Sequence, residues 1–239
     1  MSRQNIYDDP IFFNAYQGLR SREAGINAAL EQPAVQQLLP DVDGMDVLDL
    51  GCGDGARSRD LVAAGAASVI GVDASARMLD VARRSTVDRT IRYRNAFVED
   101  LSYPDRTFDL VLAGMVLHYV DDLDAMLARA ADWLRPGGRI VGSVEHPFTS
   151  GAGNYADEGR RLPTWLDSRV VKYHRKISSI LGSLQAAGLD GVRLLEPTPT
   201  GAQVSRRPEL AAYRSRPPVL VFSAAKGERA PAGRCRGRA

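Results

Sequence analysis

Residues 47–55 read VLDLGCGDG, a short apolar run that ends in three glycines at alternate positions. Glycine at the carboxyl end of a strand permits positive φ for a tight turn, and it lets backbone N–H groups approach a ligand with no Cβ in the way. In an open parallel sheet the ligand crevice lies beyond those strand ends, so Gly51, Gly53 and Gly55 read as the floor of a cofactor site. The spacing narrows the ligand. A dinucleotide turn follows G-x-G-x-x-G, whereas this one follows G-x-G-x-G, which disfavours a pyrophosphate, and no G-x-x-x-x-G-K-[ST] is present to hold a nucleoside triphosphate.

The rest of the chain keeps the same rhythm. Apolar runs bounded by turn residues predict strands over 46–50, 68–73, 91–95, 108–114, 139–146, 192–197 and 219–224. Several are apolar throughout, as strands covered on both faces are. Helical patterns fall between them over 56–64, 75–84, 122–134 and 173–187, the last closed by Gly188 as a C-cap. This alternation specifies an α/β fold, a doubly wound, mostly parallel seven-stranded sheet of Rossmann-like form. No helix of clear period separates the last two strands, which predicts an antiparallel pair at one sheet edge. Residues 10–39 read as helical, with Phe12, Phe13, Tyr16 and Leu19 on neighbouring turns, and 147–170 as an irregular insertion. The closing KGERAPAGRCRGRA reads as a disordered tail. The expected organisation is an N-terminal helical lid over 1–40, a main domain over 41–225 and the tail over 226–239.

Composition excludes several classes. With 239 residues, 44% hydrophobic and 25% charged, the chain suits one large domain with its own core. No apolar stretch approaches the ~20 residues a bilayer crossing needs, and the polar start MSRQNIYDDP lacks a signal-peptide core, so a cytoplasmic setting is expected. Cys52 and Cys235 are too far apart for local thiolate spacing to build a zinc or iron–sulfur site; both read as free thiols, and no metal is expected. A net charge of +2, with arginines clustered only in the tail, gives no sign of a nucleic-acid partner.

Asp73 ends the second strand, where an acid accepts hydrogen bonds from the ribose hydroxyls of an adenosine, in NAD and in S-adenosylmethionine alike. Taken together, VLDLGCGDG, VIGVDAS, FDLVLAGMVLHYV and LRPGGRIV resemble the first, second and fourth motifs and the Pro-Gly-Gly turn of the class I S-adenosylmethionine-dependent methyltransferases, over roughly residues 5–225. The resemblance implies S-adenosylmethionine as cofactor, with S-adenosylhomocysteine as its product. It places Asp49 beside the methionine ammonium, Gly51 and Gly53 along the methionine portion and Asp73 on the ribose. Tyr7, Ala74, Met78, Val98 and Gly114 join the cofactor-contacting set. Where many members carry an acid for the adenine amino group, this chain has Phe97; either Glu99 reaches the adenine, or Phe97 packs on the ring while backbone groups make the hydrogen bonds. The last strand's antiparallel direction also matches the family.

The implied reaction is transfer of a methyl group to an oxygen or nitrogen, or to a carbon, of a small-molecule metabolite or natural product. The alternatives are an RNA or protein methyltransferase and a protein that holds the cofactor without turnover. A small-molecule substrate, no nucleic acid, no membrane and a monomer or homodimer are expected. A hydroxyl or protonated amine acceptor needs a base within hydrogen-bond reach. His118 follows the fourth strand and His146 closes the fifth, so both emerge at the ligand edge as candidate bases, His146 preferred for its place at the mouth of the insertion. Alternation puts His146 and Glu145 on opposite faces, so one of the two points at the acceptor. Tyr16, Tyr119, Glu145, Tyr155 and Trp165 are the candidate acceptor-binding residues. For Trp165 and Tyr155 a satellite core is the other reading. Met78 reads more as core than as an adenine contact. His174, in VVKYHRK, reads as structural or solvated at a helix start, where the same basic run either faces water or anchors a substrate carboxylate.

Overall fold

The computed structural model describes residues 3–21, 25–148 and 153–228. Cys235 and the tail from 229 onward lie outside the described residues. A single 3-10 turn at Ile6–Asp8 leads into α1 (Pro10–Ser21). The start of α1 is set by Asp9, whose Oδ1 accepts from the N–H groups of Ile11 and Phe12 at 2.9 Å each, and by Pro10, which has no N–H to leave unpaired in the first turn. One turn of π-helix, Asn27–Glu31, runs into α2 (Gln32–Leu38). The doubly wound part follows as β1 (Asp46–Leu50), α3 (Ala56–Ala63), β2 (Ser68–Asp73), α4 (Ala76–Arg84), β3 (Ile91–Asn95), β4 (Phe108–Gly114), α5 (Leu123–Trp133) and β5 (Leu134–Glu145).

After β5 the chain makes four short strands, β6 (Gly159–Arg161), β7 (Thr164–Trp165), β8 (Ser168–Arg169) and β9 (Lys172–His174). It returns to the core through α6 (Ile177–Ala186), β10 (Leu189–Leu195), α7 (Gly201–Arg206) and β11 (Val219–Lys226). The seven-stranded sheet has the order β10-β11-β5-β4-β1-β2-β3, with β11 antiparallel to both of its neighbours and the other pairs parallel. The chain winds outward from β1 through β2 to β3, then resumes on the other side of β1 with β4. The strand order therefore reverses between β1 and β4, and the carboxyl ends of those two strands open the crevice.

Burial explains the apolar runs. Val47, Leu48 and Leu50 of β1 and Leu110 through Ala113 of β4 are fully buried, because helices cover both faces of the sheet. Successive side chains point to opposite faces. Leu48, Leu50, Val111 and Ala113 join α5 and α6 in one core, while Val47, Leu110, Leu112 and Val141 join α2 and α3 in the other.

Three expectations are corrected. The fifth strand starts at Leu134 and not at residue 139: Leu134 pairs with Phe108, the ladder breaks around the Pro-Gly-Gly turn, and pairing resumes at Arg139 opposite Leu110. It ends at Glu145, so His146 lies just past it. Residues 172–174 are strand and not helix, because they pair with Gly159–Arg161 across the insertion, and α6 begins only at Ile177. The insertion thus has its own ladders, and the long connection before β11 holds α7, entered through a capping box between Thr200 and Gln203.

Where β5 and β11 pair, Gly142 lies opposite Phe222, and a Cβ at Gly142 would run into the Phe222 ring. Gly142→Ala is expected to lower stability by about 1–3 kcal/mol through overpacking. A urea titration that shows a lower midpoint with an unchanged slope checks this.

Candidate active site

The turn after β1 is built on strained backbone that glycine accepts. Gly51 and Gly53 have φ of 70° and 56°. The N–H groups of Gly51 and Cys52 both donate to the Val72 carbonyl, at 2.8 and 3.0 Å, which folds the turn back onto the end of β2. A Cβ on Gly51 would lie 2.7 Å from Val116 Cβ, and one on Gly53 would lie 3.1 Å from Met78 Cε. The turn therefore has no room for a side chain between β1 and the segment that follows β4.

Two carboxylates close this floor. Asp49, 3% exposed, accepts from Ser58 Oγ at 2.6 Å. Asp73 accepts from the Gly53 N–H at 2.9 Å and from the Ser75 N–H at 2.8 Å, so one carboxylate ties the glycine turn to the start of α4. Burial pushes each carboxyl up to about 6, against the hydrogen bonds that favour ionisation. Ser75 caps α4 by accepting from the Met78 N–H at 3.1 Å.

The N-terminal segment covers the floor. Asn5 donates to the Ala74 carbonyl at 2.9 Å, Asp8 accepts from Ser75 Oγ at 2.6 Å, and the Tyr7 and Tyr119 hydroxyls share a hydrogen bond at 3.1 Å. Burial raises the Tyr7 and Tyr119 phenols well above their ordinary range. The rings of Tyr7, Phe12 and Tyr16 meet Trp165 edge-on at 6.5, 5.3 and 5.8 Å. Gln4 spans the same junction, donating to the Arg169 carbonyl at 2.8 Å and accepting from the Val171 N–H at 2.6 Å.

These pieces enclose a cavity of about 1460 Å³. Its lining brings together Tyr7, Asp49, Gly51, Gly53, Asp73, Ala74, Met78, Phe97, Val98, Glu99 and Gly114 with the acceptor-side candidates Tyr16, His118, Tyr119, Glu145 and Trp165. Phe97 carries the Arg3 guanidinium over its ring at 5.3 Å, and the Glu99 carbonyl accepts from Arg129 at 2.7 Å. His118 is buried, its Nδ1 has no partner among the described residues, and burial pulls it down to about 4. Burial alone would raise Glu145, but the His118 and Lys172 fields and a hydrogen bond from Lys172 Nζ outweigh it, leaving the carboxyl below its ordinary value.

Two predicted residues lie elsewhere. His146 is not in the cavity lining: Glu145 takes that face, and alternation turns the next side chain away. Its Nδ1 accepts from the Phe148 N–H at 3.2 Å and its Nε2 meets Glu196 Oε1 at 2.8 Å. Tyr155 stacks on Phe148 at 4.3 Å, and its hydroxyl accepts from the Ile177 N–H at 3.1 Å, so it packs outside the wall. His174 lies in β9, with Nε2 against the Tyr155 carbonyl at 2.9 Å.

Other residues of the site went unrecognised in the sequence. Glu31, 3% exposed, accepts from Ser143 Oγ at 2.8 Å and pairs with Arg57 at 3.2 Å, on the cavity wall beside Asp49. Nothing near Glu31 in the sequence marks it, since its partners come from α3 and β5. Lys172 did have a signal, the basic run 172–176, but its ammonium turns inward to Glu145. Among the described residues no group of three or more His, Cys, Asp or Glu is placed to hold a metal ion, and no helix is long and apolar enough to cross a membrane.

The floor fits the cofactor that the sequence implies: buried carboxylates at the ends of β1 and β2, with a backbone turn between them that a Cβ would fill. Two outcomes are expected. Each raised carboxyl is ionised in the folded chain only above about pH 6, while the unfolded chain sheds the proton near pH 4, so these groups favour folding at low pH and the advantage is lost as pH rises through 6. A ligand bearing a cation or hydroxyl donors needs the ionised forms, so S-adenosylhomocysteine affinity should rise about tenfold or more between about pH 5 and pH 7.5 by calorimetry. Asp73→Ala should weaken that affinity by about 1.5–3 kcal/mol in a chain that circular dichroism shows to be folded.

A family model described as a methyltransferase domain matches residues 48–142. The structure superposes with a TM-score of 0.79 on an S-adenosylmethionine-dependent methyltransferase from Mesorhizobium loti, at 34% identity over 85% of this chain and 99% of that one. A putative methyltransferase of the same kind from Listeria monocytogenes gives a TM-score of 0.78 at 28% identity, over 88% and 100% of the two chains. A ubiquinone biosynthesis O-methyltransferase from Chelativorans is 37% identical over 62% of this chain, which spans 59% of that enzyme's length. With the glycine floor and its two carboxylates in place, the chain belongs to the class I S-adenosylmethionine-dependent methyltransferases, and S-adenosylmethionine is its cofactor.

Proposed function

We propose that this enzyme methylates an oxygen or nitrogen of a small molecule held against Glu145. The observation that carries the reading is the continuation of the cofactor cavity past the floor into a chamber walled by Tyr16, His118, Tyr119, Glu145 and Trp165. A chamber roofed by the N-terminal segment and by the insertion suits a small molecule better than an RNA or protein surface. The relative named as an O-methyltransferase of ubiquinone biosynthesis supports the same reading.

When bound, S-adenosylmethionine supplies a methyl group made electrophilic by its sulfonium, so the chain's work is alignment and exclusion of water. Asp49 and Asp73 hold the two ends of the cofactor, with Met78 and Phe97 beside the adenosine portion. Tyr7, Tyr16 and Trp165, packed edge to face, form an aromatic wall of the chamber. Of the 1–40 stretch, α2 belongs to the core through Ala34, Val35 and Leu38, so we assign the segment ahead of it, residues 5–19, as the lid that opens to admit the cofactor. At the acceptor end Glu145 accepts the hydrogen bond of an O–H or N–H on Oε2, since Oε1 already takes the Lys172 ammonium. The same oxygen would receive the proton that the acceptor's O–H or N–H sheds on becoming methylated. His118, neutral at physiological pH, offers Nδ1 as a second contact. His146 lies behind this wall and supports Glu196.

A screen of phenols, alcohols and amines with methyl-labelled cofactor identifies the acceptor. On it, Glu145→Gln should lose about 10²-fold or more in turnover while S-adenosylhomocysteine affinity stays within about twofold. His146→Ala should keep most of its turnover. Full activity in Glu145→Gln, or activity lost only in His146→Ala, removes Glu145 from the mechanism. In hydrogen exchange, the amides of residues 5–19 should gain protection when S-adenosylhomocysteine binds, as a lid requires.

A further inference from the structure

We propose that Lys172 is a positioning residue of the acceptor site: it holds the Glu145 carboxylate at the cavity wall as an ionised hydrogen-bond acceptor, and so restricts acceptors to those that present an O–H or N–H. The proposal rests on the reading of Glu145 given above. Lys172 is 8% exposed, and its Nζ pairs with Glu145 Oε1. The ammonium also lies 4.9 Å above the Trp165 ring and 6.0 Å from the Tyr119 ring. It is thus held between two aromatic walls of the chamber and one carboxylate at its end.

The ammonium reaches Glu145 from behind. Lys172 is absent from the lining of the main cavity but lines a side chamber of about 30 Å³, whose walls it shares with His118 and Glu145. The face offered to the acceptor is therefore the carboxylate, with the cation screened from it. A carboxylate or phosphate acceptor would meet this negative wall directly, whereas a hydroxyl or amine donates to it. The one charge facing Glu145 near neutral pH is Lys172 from β9; the His118 ring from the turn after β4 faces it as a titratable but neutral group, with the Arg175 guanidinium beyond His118, and its partner across the sheet is the apolar Val219.

A buried ion pair is a weak source of stability, because apolar residues of similar volume often serve as well. Here the pair adjoins a buried imidazole whose Nδ1 lacks a partner among the described residues, a costly arrangement for a purely structural wall. Both features find a use if an acceptor's hydrogen-bonding group completes the site. Lys172 then does for Glu145 what no surface residue does: it occupies one oxygen at the cavity wall and leaves the other for an acceptor.

The test follows the Glu145 carboxylate by ¹³C NMR in the full chain, its signal found by difference against Glu145→Gln. In the wild type the carboxylate should titrate below the ordinary range. Lys172→Met keeps the length of the stem and its packing on Trp165 but removes the charge; the midpoint should rise by about one pH unit or more. Lys172→Arg should return it toward the wild-type value. S-adenosylhomocysteine affinity should stay within about twofold in both variants, which separates this proposal from the cofactor assignment. If Lys172→Met fails to fold, Lys172→Gln takes its place. An unchanged midpoint in a folded, uncharged variant overturns the proposal, as does an equal shift in Lys172→Arg, which would mark a packing role. So does a wild-type carboxylate that titrates at or above the ordinary range, with no variant needed.

Discussion

Asp73 is the joint on which the site turns. Its two oxygens take the N–H groups of Gly53 and Ser75, so one buried carboxylate fixes the glycine turn after β1 and the start of α4. Burying a charge is costly unless hydrogen bonds compensate, and here they compensate in part, which leaves the carboxyl up near 6. Asp49 sits in the same condition with Ser58 as its partner. The floor therefore carries two buried acids whose ionised forms are disfavoured by burial, in a place where hydrogen-bond donors and a cation would favour them.

The cover depends on the same joint. Ser75, held through its N–H by Asp73, donates its hydroxyl to Asp8, and the neighbouring Ala74 carbonyl takes Asn5. The N-terminal segment is thereby docked onto the turn that Asp73 holds. At its other end it meets the insertion through Gln4 and through the rings around Trp165. The glycine turn, the N-terminal segment and the insertion are therefore joined by direct contacts, although their residues come from widely separated parts of the chain. From the N-terminal segment, Tyr7 reaches Tyr119 through a contact between the two hydroxyls.

The acceptor wall shows how local pattern and packing divide the work. Alternation along β5 requires Glu145 and His146 to face opposite ways, and that much holds for any strand. Which of them faces the cavity depends on what packs on each side. The β10–β11 edge brings Glu196 and the Pro218 carbonyl to His146, and β9 brings Lys172 to Glu145. A histidine that reads as a base from its position at a strand end is thus engaged at the sheet's edge, and the neighbouring acid takes the inner face.

The sequence by itself determined the doubly wound sheet, the antiparallel edge, the glycine floor and the two acids at the ends of β1 and β2. These follow from periodicity, from the φ that only glycine accepts without strain and from fixed offsets along one strand and its turn, all of them local to the chain. Tertiary structure decided the rest: that Glu31 and Arg57 pair beside Asp49, that 172–174 is a strand against 159–161, and that Lys172 turns inward to Glu145. A basic run such as KYHRK carries the same local preferences whether it lies on a solvated helix or in a buried ladder. What selects between them is pairing with a partner strand and the desolvation of an ammonium against a carboxylate across the fold, neither of which is encoded within the run itself.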